Sequence, residues 1–288
     1  MPELPEVEVL ARHLGPLVRG RKIAGVQILR AKVLRPTIPA EFHRQLLGST
    51  FIDLDRRAKY LLFRLREKNG VPITLVGHLG MTGRMYMVSA KTSLPKHAAV
   101  VLNLGRENFV YEDTRYFGRL TLDTSSISAL GPEPLTKEFG IEKFAAVLKR
   151  STQPIKVKLL DQSVVAGVGN IYASEALFRA RISPRLSARS LSLEQVKRLR
   201  SAIRRTLSDA IKRGSTVPLN YIGEGESDGL FYFGRAPGAA DFYEEKLLVY
   251  DRAGAPCRRC GAVIRRMVQA SRSTFFCPEC QCARVQKQ

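Results

Sequence analysis

Two sets of residues at opposite ends of the chain have the types and spacing to do chemistry. The first is the opening Met1-Pro2-Glu3-Leu4-Pro5-Glu6. Removal of Met1 makes Pro2 a terminal secondary amine. An α-amine titrates near pH ~8, and the positive end of a helix lowers that value, which enlarges the neutral, nucleophilic fraction at neutral pH. Attack by a secondary amine on a carbonyl-like carbon gives a charged iminium. Glu3 lies beside Pro2, and Glu6 follows at the i, i+3 spacing of one helical face. One carboxylate can manage protons while the other positions the helix or the amine. By spacing alone, the same residues more readily suit a proline opening a helix with two acids favouring its dipole.

The second set is Cys257, Cys260, Cys277 and Cys280. It reads C-x2-C, sixteen residues, C-x2-C, the pattern of a four-thiolate tetrahedral site for one structural zinc ion. Four thiolates leave no position open for water, so the metal's role is structural. All five cysteines fall in the last 32 residues. In a reducing compartment, clustered CxxC pairs bind metal rather than form disulfides, and Cys282 reads as a spare thiol. A two-stranded finger has little core, so zinc is expected to supply much of its folding energy.

The elements that position these ends must fit into 288 residues, about two ordinary domains plus a small module. Lys and Arg number 47 against 26 Asp and Glu, a net charge of +21. Such a surplus favours a polyanionic partner through phosphate contacts and counterion release. No stretch approaches the ~18 apolar residues of a membrane span, and no signal-peptide plan opens the chain. A cytosolic protein with no membrane partner is the expectation.

Residues 2–14 read as a helix with Val7, Leu10, Ala11 and Leu14 on its buried stripe, stopped by Gly15-Pro16. Residues 20–125 carry short strand signals at Ile23 to Ile28, Phe51 to Asp55, Tyr60 to Leu65, Ile73 to Val76, Ala98 to Leu104, Phe109 to Tyr111 and Arg119 to Leu122, which suggests a sandwich or barrel. Residues 136–214 switch to helical periodicity. Their clearest helix follows Ser192, with Gln195 as capping-box partner, a stripe of Leu193, Val196, Leu199, Ile203, Leu207 and Ile211, and Gly214 as its stop. A Gly- and acid-rich segment with embedded aromatics, 215–245, precedes the metal module.

Several motifs in order now matter together. They are Pro2-Glu3-Leu4-Pro5-Glu6-Val7-Glu8, Arg56-Arg57-Ala58-Lys59-Tyr60-Leu61-Leu62, His78-Leu79-Gly80-Met81-Thr82-Gly83, Gly131-Pro132-Glu133-Pro134-Leu135 and Gly167-Val168-Gly169-Asn170-Ile171-Tyr172-Ala173-Ser174-Glu175, followed by the zinc cysteines. Nearly end to end, the chain resembles the bacterial formamidopyrimidine-DNA glycosylases, which excise oxidised purines such as 8-oxoguanine.

The resemblance implies an α+β multidomain fold. Its parts are an N-terminal helix plus β-sandwich (1–130), a helical domain with a helix–two-turn–helix (131–222), a lesion-recognition loop or insert (223–245) and a C-terminal zinc ribbon (246–288). It implies a bifunctional glycosylase and AP lyase of base excision repair, acting as a monomer on double-stranded DNA that holds oxidised bases or abasic sites and crosses a basic cleft. Pro2 would attack C1′ of a flipped-out nucleotide, Glu3 would move protons at the deoxyribose, β- and δ-elimination would follow, and Glu6 would support the site. Lys59 matches a position beside lesion and phosphate, although a lysine entering a β-run by itself reads as a surface residue. Met81, Arg115 and Phe117 match a triad that fills the gap left by the flipped base; without the resemblance, Met81 and Phe117 read as core. Lys156, Asn170, Tyr172 and Arg272 match DNA-contacting positions. His78 is a further phosphate contact on this reading, against the ordinary structural role of a lone histidine.

Two departures stand out. Asp113-Thr114-Arg115-Tyr116-Phe117-Gly118 has Thr114 and Tyr116 where several relatives have Pro and Arg, which leaves opposite-base preference open. The segment 221–245 is longer than the usual lesion-recognition loop, and the lysine expected shortly after Gly214-Ser215-Thr216 is not evident. Two other readings remain: an endonuclease VIII-type enzyme for oxidised pyrimidines, and a zinc-dependent DNA-binding protein without catalysis.

Overall fold

The computed structural model describes residues 2–213 and 247–282. The chain divides into two compact units, 2–129 and 130–213 with 247–282.

In the first unit, α1 (Leu4–Val18) buries Val7, Leu10, Leu14 and Val18. It begins two residues later than expected because Glu3 has extended backbone and serves as its N-cap. It also runs through Gly15-Pro16, where a stop was expected. The missing Pro16 N–H frees only the carbonyl four residues back, on Arg12, and both residues are exposed to water. Val18, one turn beyond Leu14, is fully buried, so packing carries the helix across the proline.

Behind α1 lie two antiparallel four-stranded sheets. One has the order β1-β6-β7-β5, from β1 (Gly25–Ile28), β5 (Gly83–Ser89), β6 (Ala98–Asn103) and β7 (Glu107–Asp113). The other has the order β2-β3-β4-β8, from β2 (Thr50–Arg57), β3 (Tyr60–Arg66), β4 (Pro72–His78) and β8 (Arg119–Thr121). Phe51, Phe63 and Phe109 are fully buried, and their rings meet edge-on, with Phe63 5.9 Å from Phe51 and 5.4 Å from Phe109. This is the sandwich that the strand signals predict. Two elements had no such signal. β5 interrupts its alternation with Gly83 and Arg84, and α2 (Pro39–Leu46) rests on only Phe42 and Leu46, a pattern too short to read as periodic. A single turn, α3 (Ser125–Ser128), ends the unit.

The second unit contains α4 (Ile141–Lys149), α5 (Ile155–Lys158), α6 (Asn170–Ala180) and α7 (Leu193–Lys212). The α7 capping box forms as expected: Ser192 Oγ accepts from Gln195 N–H at 3.2 Å, and the Gln195 side chain accepts from Ser192 N–H at 2.9 Å. Leu193 does not join the buried stripe. It sits at the first helical position and is 55% exposed, so the stripe begins at Val196. The expected stop at Gly214 lies outside the described residues, as do the aromatic insert and the stretch near Asn220 where a lysine was expected.

The ribbon pairs β9 (Arg265–Gln269) with β10 (Arg272–Phe276). Ala270 and Ser271 join them with φ of 48° and 58°, the positive pair that matches hairpin twist. Among the described residues, no helix is long and apolar enough to cross a membrane.

Candidate functional site

The amine end is built on the first turn of α1. Glu6, 1% exposed, folds its carboxylate back to accept from Glu3 N–H at 2.9 Å. The bond holds Glu3 in extended backbone at the helix entrance, immediately after Pro2. Glu3 is itself 2% exposed. One turn on, Glu8 accepts from Arg56 at 2.6 Å and from Arg12 at 2.7 Å. Burial raises the Glu8 pKa, but the Arg56 and Arg12 guanidinium groups outweigh it and hold the carboxyl below its ordinary value. Arg56 also donates to the Ala58 carbonyl at 3.1 Å, so Glu8 ties the Pro2-bearing helix to the turn that carries Lys59.

That turn is the two-residue link of the β2–β3 hairpin, where Arg57 pairs with Tyr60. Ala58 has φ of 53°. Lys59 is 6% exposed, so the turn holds its charged side chain among protein groups instead of extending it into solvent. Tyr60 pairs with His78 across β3 and β4, their rings 4.8 Å apart. His78 Nδ1 accepts from Gly80 N–H at 3.2 Å, which leaves Nε2 to carry the proton. Burial, with the charges of Lys59 and Arg119, pushes the imidazole down to about 4. At neutral pH, His78 is therefore an uncharged donor.

Met81, Arg115 and Phe117 come together. The Arg115 guanidinium lies 4.6 Å from the Phe117 ring centroid and donates to Met81 Sδ at 3.4 Å. Met81 is 42% exposed and Phe117 51%. Neither is core, contrary to what side-chain type alone suggests. Close backbone contact holds their two loops against each other: a Cβ on Gly80 (φ +61) would lie 2.6 Å from Gly118 N, and one on Gly118 would lie 2.5 Å from the His78 carbonyl.

In the second unit, Lys156 is fully buried and its ammonium donates to Asn170 Oδ1. The Asn170 amide N–H then donates to the Ser273 carbonyl at 2.9 Å. The first residue of α6 is thus fastened to the finger strand one residue past Arg272, which is exposed where the chain leaves the hairpin turn. Tyr172 is 4% exposed and points into the unit.

The four thiolates of Cys257, Cys260, Cys277 and Cys280 all lie within 4.8 Å of one another. Three pairs are 3.5 to 3.9 Å apart, against ~3.8 Å for thiolates on one tetrahedral zinc. Arg259 and Cys280 donate backbone N–H to Cys257 and Cys277 sulfur, both at 3.4 Å. Donor type, separation and supporting hydrogen bonds all fit zinc. Cys282 is exposed and stands outside the cluster.

Three family models match in order: the formamidopyrimidine-DNA glycosylase N-terminal domain over residues 1–120, its H2TH domain over 130–219, and the zinc finger found in FPG and IleRS over 254–281. This chain belongs to the formamidopyrimidine-DNA glycosylase family. The Symbiobacterium thermophilum enzyme of that name is 43% identical over 98% of this chain and 89% of the relative, and that of Geotalea daltonii is 41% identical over 98% and 100%. Among solved structures, wild-type Lactococcus lactis Fpg with N7-benzyl-Fapy-dG DNA matches with a TM-score of 0.84 and 31% identity, covering 98% of this chain and all of that one. MutM with carbocyclic 8-oxo-G DNA gives 0.84 and 32% over the same shares.

Two positioning residues escaped the sequence reading. Glu175, 2% exposed, accepts from the N–H groups of Leu248, Val249 and Tyr250 at 2.9 to 3.1 Å. Gln281, also 2% exposed, accepts from Cys277 N–H at 3.0 Å and donates to the Ile182 carbonyl at 2.9 Å. Glu175 had a legible signal, a lone acid inside the apolar run of α6; Gln281 had none.

Proposed function

We propose that Pro2, freed of Met1, is the nucleophile of this family member, which is a bifunctional DNA glycosylase and AP lyase of base excision repair. Pro2 nitrogen attacks C1′ of the damaged nucleotide; the glycosidic bond breaks and the base leaves with its electron pair. Glu3 moves protons at the deoxyribose as the ring opens to the iminium. Loss of a proton from C2′ then expels the 3′ phosphate, and a second elimination expels the 5′ phosphate. The observation that carries this reading is the entrance of α1, where Glu6 holds Glu3 immediately after Pro2 in a chain that family relatives match over 98% of its length.

Zinc, bound by the four cysteines, holds the finger in shape and takes no part in bond breaking. Lys59 stabilises charge at phosphate or leaving base. His78 offers a neutral N–H to phosphate. Met81, Arg115 and Phe117 enter the gap in the stack. Asn170 and Arg272 serve the phosphate grip, the buried Lys156 through the Asn170 amide and the buried Tyr172 by anchoring the first turn of α6. Relatives have been solved on DNA holding Fapy-dG, an abasic site and carbocyclic 8-oxo-G; the same lesions are proposed as substrates here. A monomer in the cytoplasm, associated with the nucleoid through DNA, completes the reading.

The test is to incubate the protein with 8-oxoguanine duplex and sodium borohydride and to map the adduct. A covalent link at Pro2 is expected. Failure on 8-oxoguanine, formamidopyrimidine and abasic duplexes, with Pro2 shown free by mass, would leave the non-catalytic DNA-binding reading. Turnover confined to oxidised pyrimidines would favour the endonuclease VIII-type reading.

A further inference from the structure

Asp113 ends β7 and is completely buried. Its Oδ1 accepts from Thr82 Oγ1 at 2.6 Å and from Arg115 N–H at 3.1 Å. Its Oδ2 accepts from Gly118 N–H at 2.8 Å and from Tyr111 Oη at 3.4 Å. Thr82 follows Met81, Gly118 follows Phe117, and Arg115 donates through its own backbone. Thus one carboxylate binds at, or one residue beyond, each of the three exposed side chains. The two loops that carry them are otherwise separated by more than 30 residues of chain.

We propose that Asp113 is the positioning residue that makes Met81, Arg115 and Phe117 a single preset reader of the gap in the duplex, and so sets the enzyme's opposite-base preference. The proposal rests on the reading of that triad given above. A carboxylate is required because both oxygens must accept. Whichever way an asparagine is turned, its NH2 faces donors on one side and loses acceptors there. The Arg115 backbone is then released at one oxygen, or the Gly118 backbone at the other, and the guanidinium no longer has a fixed address. The Gly80–Gly118 approach brings the two loops together, and the carboxylate fixes the backbone on either side of the half-exposed Met81 and Phe117.

The test compares kcat/KM on one lesion opposite cytosine and opposite adenine, for wild type, Asp113→Asn, Arg115→Ala and the double variant. Loss of global stability lowers both values together and leaves their ratio unmoved. The expected result is that Asp113→Asn lowers the ratio roughly tenfold, the scale of one lost base-edge contact. Arg115→Ala should do the same, and the double variant should be no worse than the poorer single one. A ratio altered by Arg115→Ala but not by Asp113→Asn, or additive effects, would overturn the proposal and leave the triad reading intact. No change from Arg115→Ala would overturn both. Should Asp113→Asn fail to fold, Thr82→Val removes one donor from the same oxygen while keeping the side-chain shape. It should lower the ratio several-fold, and an unchanged ratio there would equally count against Asp113.

Discussion

The loop that carries Arg115 and Phe117 and the hairpin that carries Arg272 present exposed side chains by opposite means. The first stands on a sandwich with a large core, to which α1 and α2 also contribute, and one buried carboxylate sets its shape. The second stands on a ribbon whose small core of Val249, Ile264 and Phe275 borrows Phe178 from α6. Four cysteines close that ribbon, Glu175 pins it from α6, and Gln281 within it reaches out to the Ile182 carbonyl. A large core lets hydrogen bonds do fine positioning alone, whereas a small one needs a metal to exist before positioning matters.

The most severe way to break this comparison is Cys277→Ser. Structural zinc contributes on the order of 10 kcal/mol to so small a module. The variant should lose bound metal and DNA affinity, while a calorimetric transition of the sandwich persists at its wild-type temperature. A sandwich transition that moved with the ribbon would show that the two supports are not independent. Glu175→Gln acts on the external pin. It disturbs the acceptor of three backbone N–H groups in a buried site, so about 2–3 kcal/mol should be lost from the second unit in urea unfolding, again with the sandwich unmoved.

On the sandwich side, His78 sharpens the comparison through pH. Its folded pKa is about 4, against ~6.5 when unfolded. Between these values the unfolded chain binds more protons, so stability falls as pH drops through the window and levels off below it. This component amounts to about 2 kcal/mol between pH ~7 and ~5. It should vanish in His78→Asn, as read by the difference in urea midpoints between variant and wild type at each pH. The smallest effect is expected at Arg272→Ala. About 1 kcal/mol of DNA affinity should go, uniformly across lesions, with the salt slope reduced by about 1. A loss confined to one lesion would mean that Arg272 reads the base.

Much of the fold was legible because periodicity survives packing. The sandwich strands around Phe51, Phe63 and Phe109 and the Val196-to-Ile211 stripe of α7 follow from local pattern. Helix limits were less legible. Gly15-Pro16 reads as a stop, yet burial of Val18 carries α1 past it, and α2 has too few apolar positions to announce itself. At the site, residue types were legible but environments were not. Lys59 by itself reads as surface and Met81 as core, yet the hairpin turn buries the first and the second stands exposed where Gly80 meets Gly118. Asp113 stood in a motif with no role, because Tyr111, Arg115 and Gly118 become its donors only when the loop folds back on it, and Thr82 arrives from 31 residues away.

By itself, the sequence determined the zinc site, whose ligands are set by chemistry and short spacing, the basic character that calls for a polyanion, and the Pro2-Glu3 opening that makes an amine mechanism available. Only the tertiary structure decided which charges are buried and what each one holds: Glu6 on Glu3, Glu8 on Arg56, Glu175 on residues 248–250 and Asp113 beneath the exposed triad. The reason is physical. Ligand type and charge are properties of residues, whereas a buried carboxylate takes its role from the donors that folding brings to it.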